Sequence, residues 1–460
     1  MRHAVFTIAG LAMLAGCAGP AVQTAQVPPV TSPVSFRVDL GPGVPVDGEW
    51  WRSFGDPQMA ALVEEALERN ADIGIAAARV REARAQQDVA RAAMLPNLDA
   101  AIAAADSRSI SPFGQPVEQR AAQPQVQAAW EVDLFGRLSD QISAARSGWL
   151  ASQAARDAVR LSVASATATA YVTLLALDDR LALAQRTAQT RKGSRDLIAR
   201  RVKVGYSPKL ELEQAEVDYQ AALLLVPALE QARARQENVL SVLAGRVPGP
   251  VTRSEGLAML VKPPLPEALP SELLRRRPDV AQAEFQLAAT DSNLAAARKR
   301  FLPSLRLSAN AGVAVSTLLS GPVGLWSLGG SVLAPLFEGG RLRAGAEAAG
   351  AQRDVAAFGY RKTVLTAFRE VNDALASVDG LDRQVQIQVT QRNALAEANR
   401  LAGNRYREGY SPLLEQLDTQ RGLLSAELSL IQTRADALNA RINLFQVLGG
   451  GWSAQNDADP

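Results

Sequence analysis

The chain is nearly devoid of histidine and cysteine. Its 460 residues hold one of each, His3 and Cys17, and both lie at the very start. There Arg2 and His3 make a charged beginning, Ala4 to Met13 an apolar run, and Leu14-Ala15-Gly16-Cys17 a small-residue close, which is the order of an export signal. That apolar run is too short to span a bilayer as a helix. Cleavage after residue 16 would remove the histidine, and modification of Cys17 would leave no free thiol. His-based acid–base chemistry, Cys nucleophiles and most zinc or copper sites are then excluded. A glycine-rich phosphate loop is also missing, and no carboxylate spacing singles out an acid–base pair. The expectation is a non-enzymatic protein without a cofactor. With a formal net charge of +2 there is no electrostatic case for nucleic acid, and 47% hydrophobic against 21% charged residues excludes disorder.

The close of the leader resembles the bacterial lipobox, which would make Cys17 a lipid-modified N-terminus. An ordinary secretory signal with an incidental cysteine is the alternative. Ala18, in place of an aspartate, resembles the pattern of lipoproteins sent on to the outer membrane. A single lipid anchor is weak, so stable attachment would need more membrane contact. Residues 17–48, with Pro28-Pro29, Pro33, Pro42 and Pro45, read as an extended tether. Trp50-Trp51, Phe54 and Asp56-Pro57 lead into an amphipathic helix, and plain packing accounts for the tryptophans.

What the chain has in abundance is internal echo. Arg201 to Pro208 ends in Gly-Tyr-Ser-Pro, and so does Arg405 to Pro412, with Gly205 and Gly409 offset by 204 residues. Leu95-Pro96-Asn97-Leu98 returns as Leu302-Pro303-Ser304-Leu305, Leu134-Phe135 as Leu336-Phe337, and Asn70 to Ile73 as Arg277 to Val280. Ordered matches at nearly constant offset indicate a duplicated unit. The period is far too long for a solenoid. The repeats are placed at 49–250 and 271–452, with a Pro-rich connector at 251–270 and a tail at 453–460.

Within each repeat the hydrophobic period changes from 3.6 to 2 and back. A helix after Asp72, its expected N-cap, ends near Met94. Then Val126, Ala128, Trp130 and Val132 alternate with Gln125, Gln127, Glu131 and Asp133, while Leu305 to Val315 alternates with Ser304, Arg306, Ser308 and Asn310. With weaker partner strands, each repeat forms one hairpin, at 97–134 and 304–336. Strands of about ten residues with one apolar and one polar face fit a membrane barrel wall, and a soluble two-sided sheet gives the same pattern. Four strands cannot close a barrel, and an open edge is not tolerated in hydrocarbon, so a membrane barrel demands an oligomer.

The flanking helices run from about Leu138 to Val204 and from Arg341 to Glu408. Roughly 65 residues reach about 100 Å at 1.5 Å per residue, and sustained apolar repeats suggest coiled-coil contacts. Each long helix is followed by a shorter one, interrupted at Pro227 in the first repeat.

Taken together, the lipobox, Trp50-Trp51 with Asp56-Pro57, Arg276-Arg277-Pro278-Asp279-Val280, Phe301-Leu302-Pro303, the two Gly-Tyr-Ser-Pro phrases and Leu448 to Trp452 resemble the TolC-like outer-membrane efflux family. The lipobox and the terminal Leu-Gly-Gly-Gly-Trp are most similar to its lipoprotein branch, which serves resistance-nodulation-division pumps. The resemblance implies a mainly α fold with a membrane β-barrel: a homotrimer whose twelve strands, four per chain, close a barrel through the outer membrane and whose long helices form a second barrel in the periplasm. It also implies a passive exit duct for drugs and other small solutes, partnered by a periplasmic adaptor and an inner-membrane resistance-nodulation-division transporter. The outer-membrane component of a type I protein secretion system is the alternative; a poreless coiled-coil spacer would leave both hairpins without purpose.

In that family the periplasmic end is narrowed by a Leu-x-x-x-Asp-x-x-Arg motif, matched here by Leu414, Asp418 and Arg421. Positions i, i+4 and i+7 share a helix face, so a trimer would carry a ring of aspartates and a ring of leucines. Spacing alone equally allows an exposed Asp–Arg pair beside a core leucine. The first repeat has Glu213 and Glu216 in the comparable region.

Overall fold

A computed structural model describes residues 22–38, 43–44, 47–266 and 270–452. The leader, Cys17 and the tail at 453–460 lie outside the described residues. After a short 3₁₀ turn at Trp50–Phe54, the elements in chain order are α1 (Pro57–Arg69), α2 (Ala71–Ala92), β1 (Asn97–Ile110), β2 (Pro116–Val132), α3 (Arg137–Lys203) and α4 (Lys209–Leu243). They continue as α5 (Pro270–Arg276), α6 (Pro278–Lys299), β3 (Ser304–Ser316), β4 (Val323–Leu333), α7 (Arg341–Arg407) and α8 (Leu413–Val447). Two hairpins, each followed by one very long and one shorter helix, are the expected repeat.

Two local expectations are corrected. Asn70, not Asp72, caps α2: its side-chain oxygen accepts from the Asp72 and Ile73 backbone N–H groups at 2.9 and 3.4 Å, and Asp72 falls in the first turn. Pro227 does not interrupt α4, which is continuous across it. The lost hydrogen bond and ring clash are offset by packing, since Leu225, Val226 and Leu229 lie against Leu181 and Ala184 of α3.

The structure divides into two compact units. The described residues of the first are 22–29, 79–153 and 282–362; those of the second are 30–38, 43–44, 47–78, 154–266, 270–281 and 363–452.

The first unit holds one antiparallel sheet in the order β1-β2-β3-β4. Its register lines Asp99, Gln127, Asn310 and Ser327 into one polar row, and Ala100, Val126, Ala311 and Trp326 into an apolar row on the other face. Pairing between β2 and β3 lapses from Ala122–Val315 to Gln125–Gly312, where Pro124 has no N–H to give. Gly312 answers with a close approach: a Cβ there would lie 2.7 Å from the Gln125 Cβ. At the far end of the hairpin, beyond the apolar stretch, Asp106 pairs with Arg120 at 3.1 Å and Arg108 with Glu118 at 3.6 Å. A chain segment from Val22 is bound to α7: the Ala25 N–H donates to both Asp354 carboxylate oxygens at 2.9 Å, and Arg353 donates back to the Ala25 carbonyl.

The second unit is built on a core of Trp50, Trp51, Phe54, Met59 and Val63 packed with Tyr171, Leu174 and Leu175 of α3, Leu240 of α4, and Ile442 and Phe445 of α8. The Trp50 and Phe445 rings stack at 5.4 Å, so the tryptophans are packing residues, as expected. Asp56 caps α1 by accepting from Gln58 and Met59, and receives the Tyr171 hydroxyl at 2.9 Å. Burial first, then the adjacent carboxylate, pushes that hydroxyl up to about 12. One stretch of α3 is apolar and long enough to cross a bilayer, but 61% of it is buried inside the protein. It is core rather than a span.

Candidate functional site

Each Gly-Tyr-Ser-Pro phrase closes one long helix and opens the next by the same backbone device. Gly205 and Gly409 both stand at φ 79°, the left-handed conformation that favours glycine. Around the first, the Gly205 N–H donates to the Val202 carbonyl at 3.1 Å and the Tyr206 N–H to Arg201 at 2.9 Å; Gly409 and Tyr410 repeat this on Tyr406 and Arg405. These are Schellman terminations. Pro208 and Pro412 then precede α4 and α8. The duplicated phrase is thus a turn recipe, and it leaves Tyr206 and Tyr410 exposed.

Helix α8 leaves its turn with two distinct faces. Leu413 and Leu417 are buried against Ile198 of α3 and Ala215 of α4. Leu414 is 47% exposed, and the Asp418 and Arg421 side chains are 63% and 46% exposed. The structure therefore brings the three motif residues to one open face, as their spacing requires. Arg421 reaches Asp418 at only 3.4 Å, a solvated contact of small energetic worth.

The strong partner of Arg421 is a residue outside the motif. Its Nε donates to Asp218 Oδ1 on α4 at 2.8 Å. Asp218 is buried and also meets Arg191 of α3, which is buried too, at 3.0 Å; Arg191 donates in addition to the Asp218 backbone carbonyl. One carboxylate thus joins three helices. Burial foremost, opposed by Asp218 and seconded by Arg421, lowers the Arg191 guanidinium from its ordinary value. Nearer the turn, Tyr406 of α7 donates its hydroxyl to Glu211 of α4 at 3.2 Å. Burial, followed by that carboxylate, raises the Tyr406 hydroxyl. A pocket of about 180 Å³, lined by Arg191, Ile198, Asp218, Tyr406 and Leu413 among others, lies inside this cluster.

Glu213 and Glu216, singled out in the sequence as the first repeat's counterparts, do not join the cluster; Glu216 faces Arg195 at 3.4 Å. Asp218, Arg191, Tyr406 and Glu211 were not anticipated. A signal for Asp218 did exist. It stands in the buried stripe Ala215, Asp218, Ala222 of α4, and a carboxylate at a core position needs a cation. Among the described residues no cluster of His, Cys, Asp and Glu could hold a metal.

Residues 62–246 and 269–450 match the outer membrane efflux protein family. Over 415 residues the chain is 34% identical to the probable efflux pump outer membrane protein TtgC of Pseudomonas putida, covering 88% of this chain and 86% of that one. Its fold matches the outer-membrane channel OprN with a TM-score of 0.87 at 28% identity, over 95% of this chain and 99% of the other. The open state of the Neisseria gonorrhoeae MtrE outer membrane channel matches at 0.80 and 30% identity, over 93% and 98%.

Proposed function

The chain belongs to the outer membrane efflux protein family, and from that premise we propose that three copies form the passive exit duct of a tripartite pump. A sheet that ends in β1 on one side and β4 on the other has two open edges, which hydrocarbon does not tolerate. That observation carries the reading. Three such sheets supply twelve strands, with the apolar row of Ala100, Val126, Ala311 and Trp326 toward lipid, and the polar row of Asp99, Gln127, Asn310 and Ser327 toward the lumen.

Such a lumen suits drugs and other small solutes. A periplasmic adaptor and an inner-membrane resistance-nodulation-division transporter are the proposed partners, meeting the duct at its Gly-Tyr-Ser-Pro turns. The channel carries out no chemistry of its own.

Leu414, Asp418 and Arg421 are proposed as the periplasmic gate. Their support is a shared exposed face on the first turns of α8. Replacing both Asp418 and Arg421 by alanine is expected to raise single-channel conductance in a planar bilayer several-fold and to increase antibiotic entry. Unchanged conductance and entry would remove these residues from the gate.

Cys17 is proposed as the lipidated residue. It lies five residues before Val22, whose carbonyl accepts from Arg298 in the last turn of α6, the helix that leads into β3. At ~3.3–3.6 Å per residue at full extension, five residues reach at most about 18 Å, short enough to keep an acyl chain near the strand ends. Cys17→Ser is expected to abolish incorporation of labelled palmitate. Full labelling of that variant would place the lipid on a residue other than Cys17.

A further inference from the structure

Where the strands pass into the helices, the first unit contains a pocket of about 220 Å³ that the proposed duct does not use. Its wall carries seven charged side chains: Arg137, Lys299, Arg300 and Arg341 against Glu131, Asp133 and Glu338. Six of these are matched locally. Arg137 pairs with Glu131 at 2.5 Å, and Arg341 with Glu338. Asp133 accepts from the Leu138 and Ser139 N–H groups and the Ser139 hydroxyl at the start of α3, so its charge is met by that helix terminus. Lys299 contacts Asp140 at 2.7 Å and donates to the Gly136 carbonyl at 3.1 Å, leaving part of its donor capacity open. Arg300 is the exception. It is exposed, just beyond the end of α6, and its guanidinium has no acidic or hydrogen-bonding partner among the described residues.

The apolar surroundings make that free cation informative. Leu134, Phe135, Leu333 and Pro335 line the same pocket, and next to Pro335, Leu336 and Phe337 are 89% and 90% exposed. A solvated arginine does not need a rim of bare leucine and phenylalanine, and such a rim is costly in water. Both make sense at one level only. The strand ends of an outer-membrane barrel lie at the boundary between acyl chains and headgroups, where aromatic and cationic side chains collect. Trp130, whose indole donates to the Met94 carbonyl at 2.9 Å at the foot of β2, marks the same level.

We propose that this pocket binds the headgroup of an anionic glycerophospholipid, with its phosphate on Arg300 and the open side of Lys299 and its acyl chains along Leu336 and Phe337. Charge complementarity selects the anion and the exposed apolar pair selects a lipid over a soluble phosphate. The site would hold each protomer to the inner leaflet independently of Cys17.

The test uses the full-length protein purified as its trimer in mild detergent. Bound phosphatidylglycerol, phosphatidylethanolamine and phosphatidylcholine are counted by native mass spectrometry, with single-channel conductance of the same preparation reporting on the pore separately. Phosphatidylglycerol is expected to bind several-fold better than phosphatidylcholine, with Arg300→Gln erasing the preference and Arg300→Lys retaining most of it. Leu336→Ser with Phe337→Ser is expected to weaken all three lipids together. Inorganic phosphate at millimolar concentration is expected not to compete. Overturning results are an Arg300→Gln protein with the preference intact, displacement by inorganic phosphate, which would make this a free-anion site, and a trimer without any preference, which would mean that a second copy of the chain covers the pocket.

Discussion

Asp218→Ala is expected to loosen the end of the second unit and to raise the resting conductance, more than removal of either exposed charge, Asp418 or Arg421. The reason is where the charges sit. Asp218 and Arg191 are 2% and 6% exposed, so deleting the carboxylate strands a buried guanidinium that burial already works against. Breaking a buried pair in this way costs about 3–5 kcal/mol, against about 0–1 kcal/mol for a solvated contact such as Asp418–Arg421. Arg421 would also lose its 2.8 Å tie to α4 and with it the restraint on α8. Asp218→Asn, which keeps the volume and removes the charge, should fall almost as far. Arg421→Ala keeps the buried pair and should melt close to the unchanged protein. The order of melting temperatures in detergent and of bilayer conductances tests the assignment. An Asp218→Ala protein with both values unchanged would mean that Arg191 finds another partner and that Asp218 does not restrain α8.

The fold was legible because its signals are long. A run of about 65 residues with hardly a proline could only be a long helix, and the structure places α3 and α7 within a residue of the expected limits. The change of period to 2 located both hairpins, and the repeated phrase located both turns. What the sequence hid are choices made by neighbours distant in the chain. Asn70 and Asp72 are both able caps; Asn70 takes the role and also donates to the Leu243 carbonyl at 2.9 Å, a tie that depends on tertiary structure. Pro227 reads as a break until the α3 residues packed against α4 around it are known. At the site, the motif residues could be placed on one face of α8, because spacing fixes that. Their connection to Asp218, 203 residues away from Arg421, could not. Only the oddity of a carboxylate in a buried stripe pointed to it.

Gly449→Ala is expected to have the largest effect of all, a loss of assembled protein from the membrane. Gly449 stands at φ 93°, and a Cβ built on it falls well inside contact distance of the Arg276 carbonyl oxygen. Backbone cannot swing aside as a side chain can, and this stretch of backbone is pinned. The next residue, Arg277, is buried, donates to the Val447 carbonyl at 3.1 Å and pairs with Asp279 and Glu370 at 2.7 and 2.8 Å. The Arg-Arg-Pro-Asp and Leu-Gly-Gly-Gly-Trp phrases are therefore two halves of one joint, which closes α8 onto the junction of α5 and α6. A left-handed alanine alone costs roughly 1–2 kcal/mol. Gly409→Ala isolates that smaller cost, since Gly409 is also left-handed but has nothing within 4 Å of a built Cβ. Membrane yield and melting temperature should therefore fall slightly for Gly409→Ala and collapse for Gly449→Ala. Equal, mild losses in the two variants would show that the joint can open to admit a methyl group, and that the glycines of the closing phrase serve its backbone angles rather than its close fit.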